Sequence, residues 1–159
     1  MPYQNCFRLK SPLAQVQRQA FPVSSRHMLD YEDAADNVVM GEWLTLSATY
    51  LLTRAADNAT PPGPWVCFDE LGRGDTQAIA AGKLTVLFSG TFWAETKIFV
   101  GAPALGSALV ARTGVITGWG SATRTGVGNS GGGSPITLGY VTKLAADNGG
   151  WLQFQTALY

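Results

Sequence analysis

Trp151-Leu152-Gln153-Phe154-Gln155-Thr156-Ala157-Leu158 puts Leu152, Phe154 and Leu158 on one side of an extended chain and Gln153, Gln155 and Ala157 on the other. A two-residue apolar period is that of a strand with one face in a core. Immediately upstream, Asp147-Asn148-Gly149-Gly150 offers residues that tolerate the positive φ of a tight connection, and residues 136–144 read as the partner strand. The chain therefore closes on a hairpin. Further upstream, Lys83-Leu84-Thr85-Val86-Leu87-Phe88-Ser89 sets Leu84, Val86 and Phe88 against Lys83, Thr85 and Ser89. Leu87 interrupts that alternation, which implies that the second face is covered as well.

Working outward, the expected strands are 42–52, 65–69, 83–89, 91–100, 107–112, 115–119, 136–144 and 151–158. Turns at Pro61-Pro62-Gly63-Pro64, Leu71-Gly72-Arg73-Gly74 and Thr113-Gly114 separate several of them. Short strands with little room for a helix indicate an all-β fold, a small β-barrel or β-sandwich. Residues 118–134 hold seven of the nineteen glycines and read as a mobile loop. The tetrapeptide Ala-Ala-Asp-Asn recurs at 34–37, 55–58 and 145–148, which reads as reuse of one turn solution.

The 159 residues fit one domain, and a 46% hydrophobic content is enough for a core. Formal charge is zero and only 14% of residues are charged, so no general basic surface points to nucleic acid. No apolar run reaches the length of a membrane span, and the N-terminus lacks the apolar segment of a secretory signal, so neither membrane insertion nor export is expected. Cys6 and Cys67 are expected as two reduced thiols.

The first forty residues differ from the rest. Pro2, Pro12 and Pro22 interrupt regular structure, and Arg8, Lys10, Arg18 and Arg26 precede any acidic residue. Asp30, Glu32, Asp33, Asp36 and Glu42 then follow without a base. This segregation is expected where a tail lies on a neighbouring subunit. The resulting division is an extended N-terminal arm over 1–40 and a β-body over 41–159. Within the arm, Phe7, Leu9 and Phe21 are the expected apolar anchors, and Arg8, Lys10, Arg18 and Arg26 the expected charge contacts with a neighbouring subunit.

Several motifs suggest chemistry that their surroundings do not support. Val115-Ile116-Thr117-Gly118-Trp119-Gly120 and Gly128-Asn129-Ser130-Gly131-Gly132 resemble two signatures of trypsin-like serine proteases, yet Asn129 stands where an acidic residue precedes the nucleophile. His27, the one histidine, lies in the expected arm. Gly126-Val127-Gly128-Asn129-Ser130-Gly131 fits a dinucleotide fingerprint, but Gly132, Gly133 and Pro135 prevent the helix that such a site needs. Arg73-Gly74-Asp75 reads as a turn. One histidine and two distant cysteines do not make a closed zinc site, and Asp69, Glu70, Asp75 and Glu95 have no spacing that makes a catalytic pair. No catalytic residue, metal or cofactor is expected. Among the five tryptophans, Trp43 and Trp65 are assigned to packing, and Trp119 is the one expected at the surface.

The order of features from Gly82 resembles the small β-domain of tailed-bacteriophage capsid decoration, or cement, proteins. The pieces that carry the resemblance are Leu84-Thr85-Val86-Leu87-Phe88-Ser89-Gly90, the apolar strand over 92–100 and the segment 106–114 ending in Thr-Gly. Ile136-Thr137-Leu138-Gly139-Tyr140-Val141 and the closing strand 151–158 complete them. About half the chain is covered, by pattern rather than by a diagnostic motif. The resemblance implies a non-enzymatic virion structural protein, made in the host cytoplasm, that stabilises the outer capsid surface by bridging capsid subunits. Its implied partners are the major capsid protein and other copies of itself, as in a trimer. The alternatives are a tail-tube or head–tail joining subunit, and a carbohydrate-binding module using exposed tryptophans.

Overall fold

The C-terminal alternation is realised in the computed structural model, which describes residues 6–12, 16–23, 38–59, 62–68, 83–116, 123–130 and 136–156. Within them the strands are β1 (Phe7–Leu9), β2 (Gln17–Pro22), β3 (Trp43–Leu46), β4 (Leu52–Arg54), β5 (Trp65–Cys67) and β6 (Lys83–Ser89). They continue as β7 (Trp93–Thr96), β8 (Ala108–Val115), β9 (Thr123–Gly128), β10 (Gly139–Lys143) and β11 (Leu152–Thr156). The protein is all-β, with two antiparallel sheets ordered β1-β7-β11-β10-β8-β9 and β2-β6-β5-β3-β4.

β10 and β11 pair as expected, from Gly139↔Thr156 to Lys143↔Gln153, with a register shift between Val141 and Lys143. A 3-10 turn over Ala145–Asp147 and the two positive-φ glycines Gly149 and Gly150 connect them. Leu152 and Phe154 are buried, and Phe154 packs beside Trp43 of the other sheet, ring centroids 6.5 Å apart. Leu158 lies outside the described residues.

The six-stranded sheet curls nearly shut. β7 ends at Thr96, and the chain beyond it pairs with β9 in parallel: Val100 N–H donates to the Val127 carbonyl (2.9 Å) and Val127 N–H to that of Ile98 (3.2 Å). One side of this bent segment is thus shared, β1 covering its first half and β9 its second. The approach is close. A Cβ on Gly126 would lie 2.3 Å from the Ile98 carbonyl oxygen, and one on Gly128 3.0 Å from that of Val100.

Glycines 126 and 128, expected in a mobile loop, therefore belong to a strand whose neighbour leaves no room for a side chain. Likewise the turn expected at Thr113-Gly114 is the interior of β8, which runs unbroken against β9 from Val110↔Gly128 to Val115↔Thr123. In the opposite sense, the single strand expected over 42–52 is a hairpin. Ser47 N–H donates to the Leu51 carbonyl (2.9 Å), the Ser47 hydroxyl accepts from Thr49 and Leu51 N–H, and Tyr50 takes φ 60°.

The second sheet has apolar residues on both faces. Trp43, Val66 and Leu87 join the core of the first sheet, whereas Leu44, Cys67, Leu84 and Val86 form a second cluster with Val23, Val38 and Leu52. The Leu87 interruption of the β6 pattern is explained: that side chain faces the main core while Leu84 and Val86 face the second cluster. Cys6 and Cys67 are both buried and form no disulfide.

The extended arm is corrected over its described residues. β1 pairs with β7 from Phe7↔Thr96 to Leu9↔Ala94, and β2 pairs with β6 from Gln17↔Ser89 to Pro22↔Lys83. Phe7 is 1% exposed within the main core. Pro12 lies between these short strands and Pro22 ends β2, and neither keeps the segment off the body. Both strands sit at sheet edges, where a missing N–H is tolerated.

Candidate functional site

The expected contact residues separate into inward and outward sets. Phe7 points into the core against Phe68, ring centroids 5.9 Å apart, and Leu9 is half-buried against the same cluster. Both therefore anchor β1 to its own body. Phe21 stacks on Trp65 at 5.2 Å with the rings nearly parallel, so it too is satisfied within the chain. Arg8, Lys10 and Arg18 face outward. Arg26, His27, Trp119, Asp69, Glu70 and Arg73-Gly74-Asp75 lie outside the described residues.

The outer face of the six-stranded sheet is built from two cross-strand rows fixed by register. In the first, Trp93 of β7, Gln155 of β11, Tyr140 of β10 and Ala108 of β8 are successive partners. Lys10 continues this row beyond β1, its N–H donating to the Trp93 carbonyl (2.8 Å), while Trp93 N–H donates to the Ser11 hydroxyl (2.9 Å). The second row runs Arg8, Glu95, Gln153 and Lys143. Thr142 Oγ1 donates to Gln153 Oε1 at 3.1 Å, tying β10 to β11.

Glu95 organises the end of the second row. Its nearly buried carboxylate lies 3.8 Å from Arg8 Nη1 and 3.5 Å from Lys10 Nζ, and accepts from Asn148 Nδ2. The Arg8 guanidinium sits 3.8 Å over the Trp151 ring, with Lys97 Nζ 5.0 Å from the same ring. Cation–π contact and ion pairing together hold β1 on the sheet. Sequence reasoning placed Arg8 and Lys10 at an interface with another subunit. Missed was the pairing of Arg8 with Glu95, which follows only from the β1–β7 register.

A second charged cluster joins the two sheets. Glu42, fully buried just before β3, accepts from Arg54 Nε of β4 (2.9 Å), from Val39 N–H (2.9 Å) and from Thr125 N–H of β9 (3.3 Å). Arg124 Nη1 of β9 lies 3.5 Å away, itself almost wholly buried. Two guanidiniums and two backbone donors neutralise one interior carboxylate, as burial of such a charge requires. This ties β3 and β4 to β9 and leaves no open face for a substrate.

The repeated tetrapeptides prove to be two different devices. Asn58 has φ 53° and its N–H donates to the Ala111 carbonyl (2.8 Å). Asp57 accepts from Thr113 N–H and lies 3.3 Å from Arg112 Nε. The Thr113 backbone donor, aided by Arg112, holds the Asp57 carboxyl below its usual range. In the last copy Asn148 has φ −136° and braces Glu95 instead. The copy at 34–37 lies outside the described residues.

At one end of the curled sheet an apolar cavity of about 330 Å³ is lined by Phe99, Pro103, Leu144, Ala145 and Leu152. Edge strand β2 has Gln17, Arg18, Gln19 and Pro22 exposed and pairs with β6 alone among the described residues, until Val23 bridges to Leu52. Asn129 and Ser130 follow β9 at the surface, and the fingerprint-like glycines 126 and 128 lie within that strand, not at a helix start. Comparison with protein-family models, with curated proteins and with solved structures gives no match.

Proposed function

We propose that this chain is a virion structural protein that decorates the outer surface of a tailed-phage capsid, docking on the major capsid protein and on other copies of itself, as in a trimer. The observation that carries the reading is β2, a six-residue edge strand whose second edge is unpaired among the described residues over Gln17–Pro22 and whose exposed side chains, Pro22 apart, are polar or basic. Such an edge receives a neighbouring chain by strand addition, with backbone hydrogen bonds supplying affinity and Arg18 supplying charge contact. Supporting it, the segments that resemble decoration domains supply β7, β8, β10 and β11 of one curled sheet and β6 of the other. Many weak copies on one shell need little affinity each.

The test is co-sedimentation of the purified full chain with empty shells of the major capsid protein encoded in the same genome. Saturable binding that weakens with salt is expected, and Arg18→Glu should lower affinity several-fold, since a rim charge contributes up to about 1 kcal/mol per contact. Absence of binding to shells, with rings or tubes formed by the protein alone, would instead assign it to the tail tube or the head–tail joint.

A further inference from the structure

The first row on the outer sheet face has a composition that neither folding nor strand-edge docking accounts for. Trp93 and Tyr140 are 43% and 49% exposed although both are large aromatics, and they stand on the same face with Gln155 between them. Single exposed aromatics need no explanation, but two aligned in one cross-strand row form a surface. Separated by two strand spacings, their attachment points lie roughly 10 Å apart. That is about the reach of two pyranose units.

From this we propose that the Trp93–Gln155–Tyr140 row is a binding platform for an acidic polysaccharide. Each ring offers an apolar face to the C–H face of a sugar, as amphipathic aromatics do where one side of a ligand is apolar and its rim is wet. Gln155, partly exposed between the rings, and Gln153 of the adjacent row supply amide donors and acceptors for hydroxyl groups. The charge around the row selects acidic sugars. Lys10 extends the row beyond Trp93, Lys143 and Arg8 lie in the adjacent row, and Glu95, the one carboxylate in these two rows among the described residues, is nearly buried and already shared by Arg8, Lys10 and Asn148. The face is therefore net positive, complementary to uronate carboxylates. The platform is a different surface from the β2 edge, so it stands or falls independently of capsid docking.

Affinity electrophoresis of the full chain through gels containing alginate, a polyuronate, or dextran, a neutral glucan, tests this directly. Retardation by alginate and not by dextran is expected, with quenching of tryptophan fluorescence. Trp93→Ala and Tyr140→Ala should each weaken binding about tenfold, the loss of one stacking contact. Lys143→Gln should weaken it less and reduce its dependence on salt. Both aromatic side chains are half exposed, so the variants are expected to melt as the parent does, and circular dichroism verifies that the comparison is between folded proteins. Equal mobility of the parent protein in both gels overturns the proposal, as does alginate binding that survives both aromatic substitutions. Dimer dissociation caused by Trp93→Ala, without alginate binding by the parent, would assign the row to self-association instead.

Discussion

Glu42 is one carboxylate serving four donors from three segments of chain, and its removal affects both sheets at once. Breaking a buried ion pair from one side costs about 3–5 kcal/mol. Glu42→Ala is therefore expected to lower the melting temperature by on the order of 10 °C, at 2–4 °C per kcal/mol for a chain of this length; a surface-like change of a degree would show that the site is solvated. Gly126 makes a different demand. Its Cβ would meet backbone rather than a movable side chain, so Gly126→Ala is expected to cost roughly 1–3 kcal/mol by overpacking, measured by urea denaturation. Gly106, with open space about it, serves as the contrast, although its φ of 78° brings a backbone cost of its own. Asp57 gives a pH signature. Because its folded carboxyl titrates below the ordinary aspartate range, its contribution is complete at neutral pH and is lost as pH falls through the lowered value. Asp57→Asn should thus be less stable than the parent at pH 7, and the two melting curves should converge below about pH 4.

Strands β6 and β11 were legible because their apolar alternation is a local property, readable wherever one face meets a core, and β10 followed as the hairpin partner of β11. Phe154, buried against Trp43, illustrates this: Phe154→Ala is expected to cost about 3–5 kcal/mol and to leave little folded protein. β9 was hidden for the opposite reason. Thr123-Arg124-Thr125-Gly126-Val127-Gly128 carries few apolar side chains, since glycine is required where Ile98 and Val100 approach, and the two polar residues before them, Arg124 and Thr125, are held by Glu42 and Ala55. A polar, glycine-rich strand looks like a loop until its partner is known. β1 and β2 were misjudged on similar grounds, as strands of three and six residues, the second ending in proline, give no pattern strong enough to imply a partner some eighty residues away. Phe7→Ala separates the two readings of that segment. As part of the core it should destabilise the protein by about 3–5 kcal/mol, whereas in a free arm it would leave the melting curve unchanged. Of the outer-face row, Trp93 and Tyr140 were visible as residues, but only register sets them side by side.

At the scale of the molecule, the two sheets are joined by the Glu42 cluster, by β6 with a core on each face, and by the Asp57 turn seated on β8. Deleting residues 1–23 therefore removes two strands and the buried side chains of Cys6, Phe7 and Val16, so the truncated chain is expected to aggregate rather than persist as an armless body. Light scattering after refolding would register it, and a soluble truncated protein with unchanged circular dichroism would contradict it. The seating of β1 and β2 also has a bearing on synthesis. A ribosome delivers these strands well before their partners, for Phe7 pairs with Thr96, Gln17 with Ser89, and Ser11 bonds Trp93 across 82 residues. Both segments must wait, apolar side chains unprotected, until partners some seventy to ninety residues further along have emerged. Pairing between such distant segments folds slowly, because the chain is constrained before the contact rewards it. During that interval the Cys6 thiol, later sealed in the interior, is open to oxidants and to other nascent chains, so yield should depend on reducing conditions during translation far more than the finished protein depends on them afterwards.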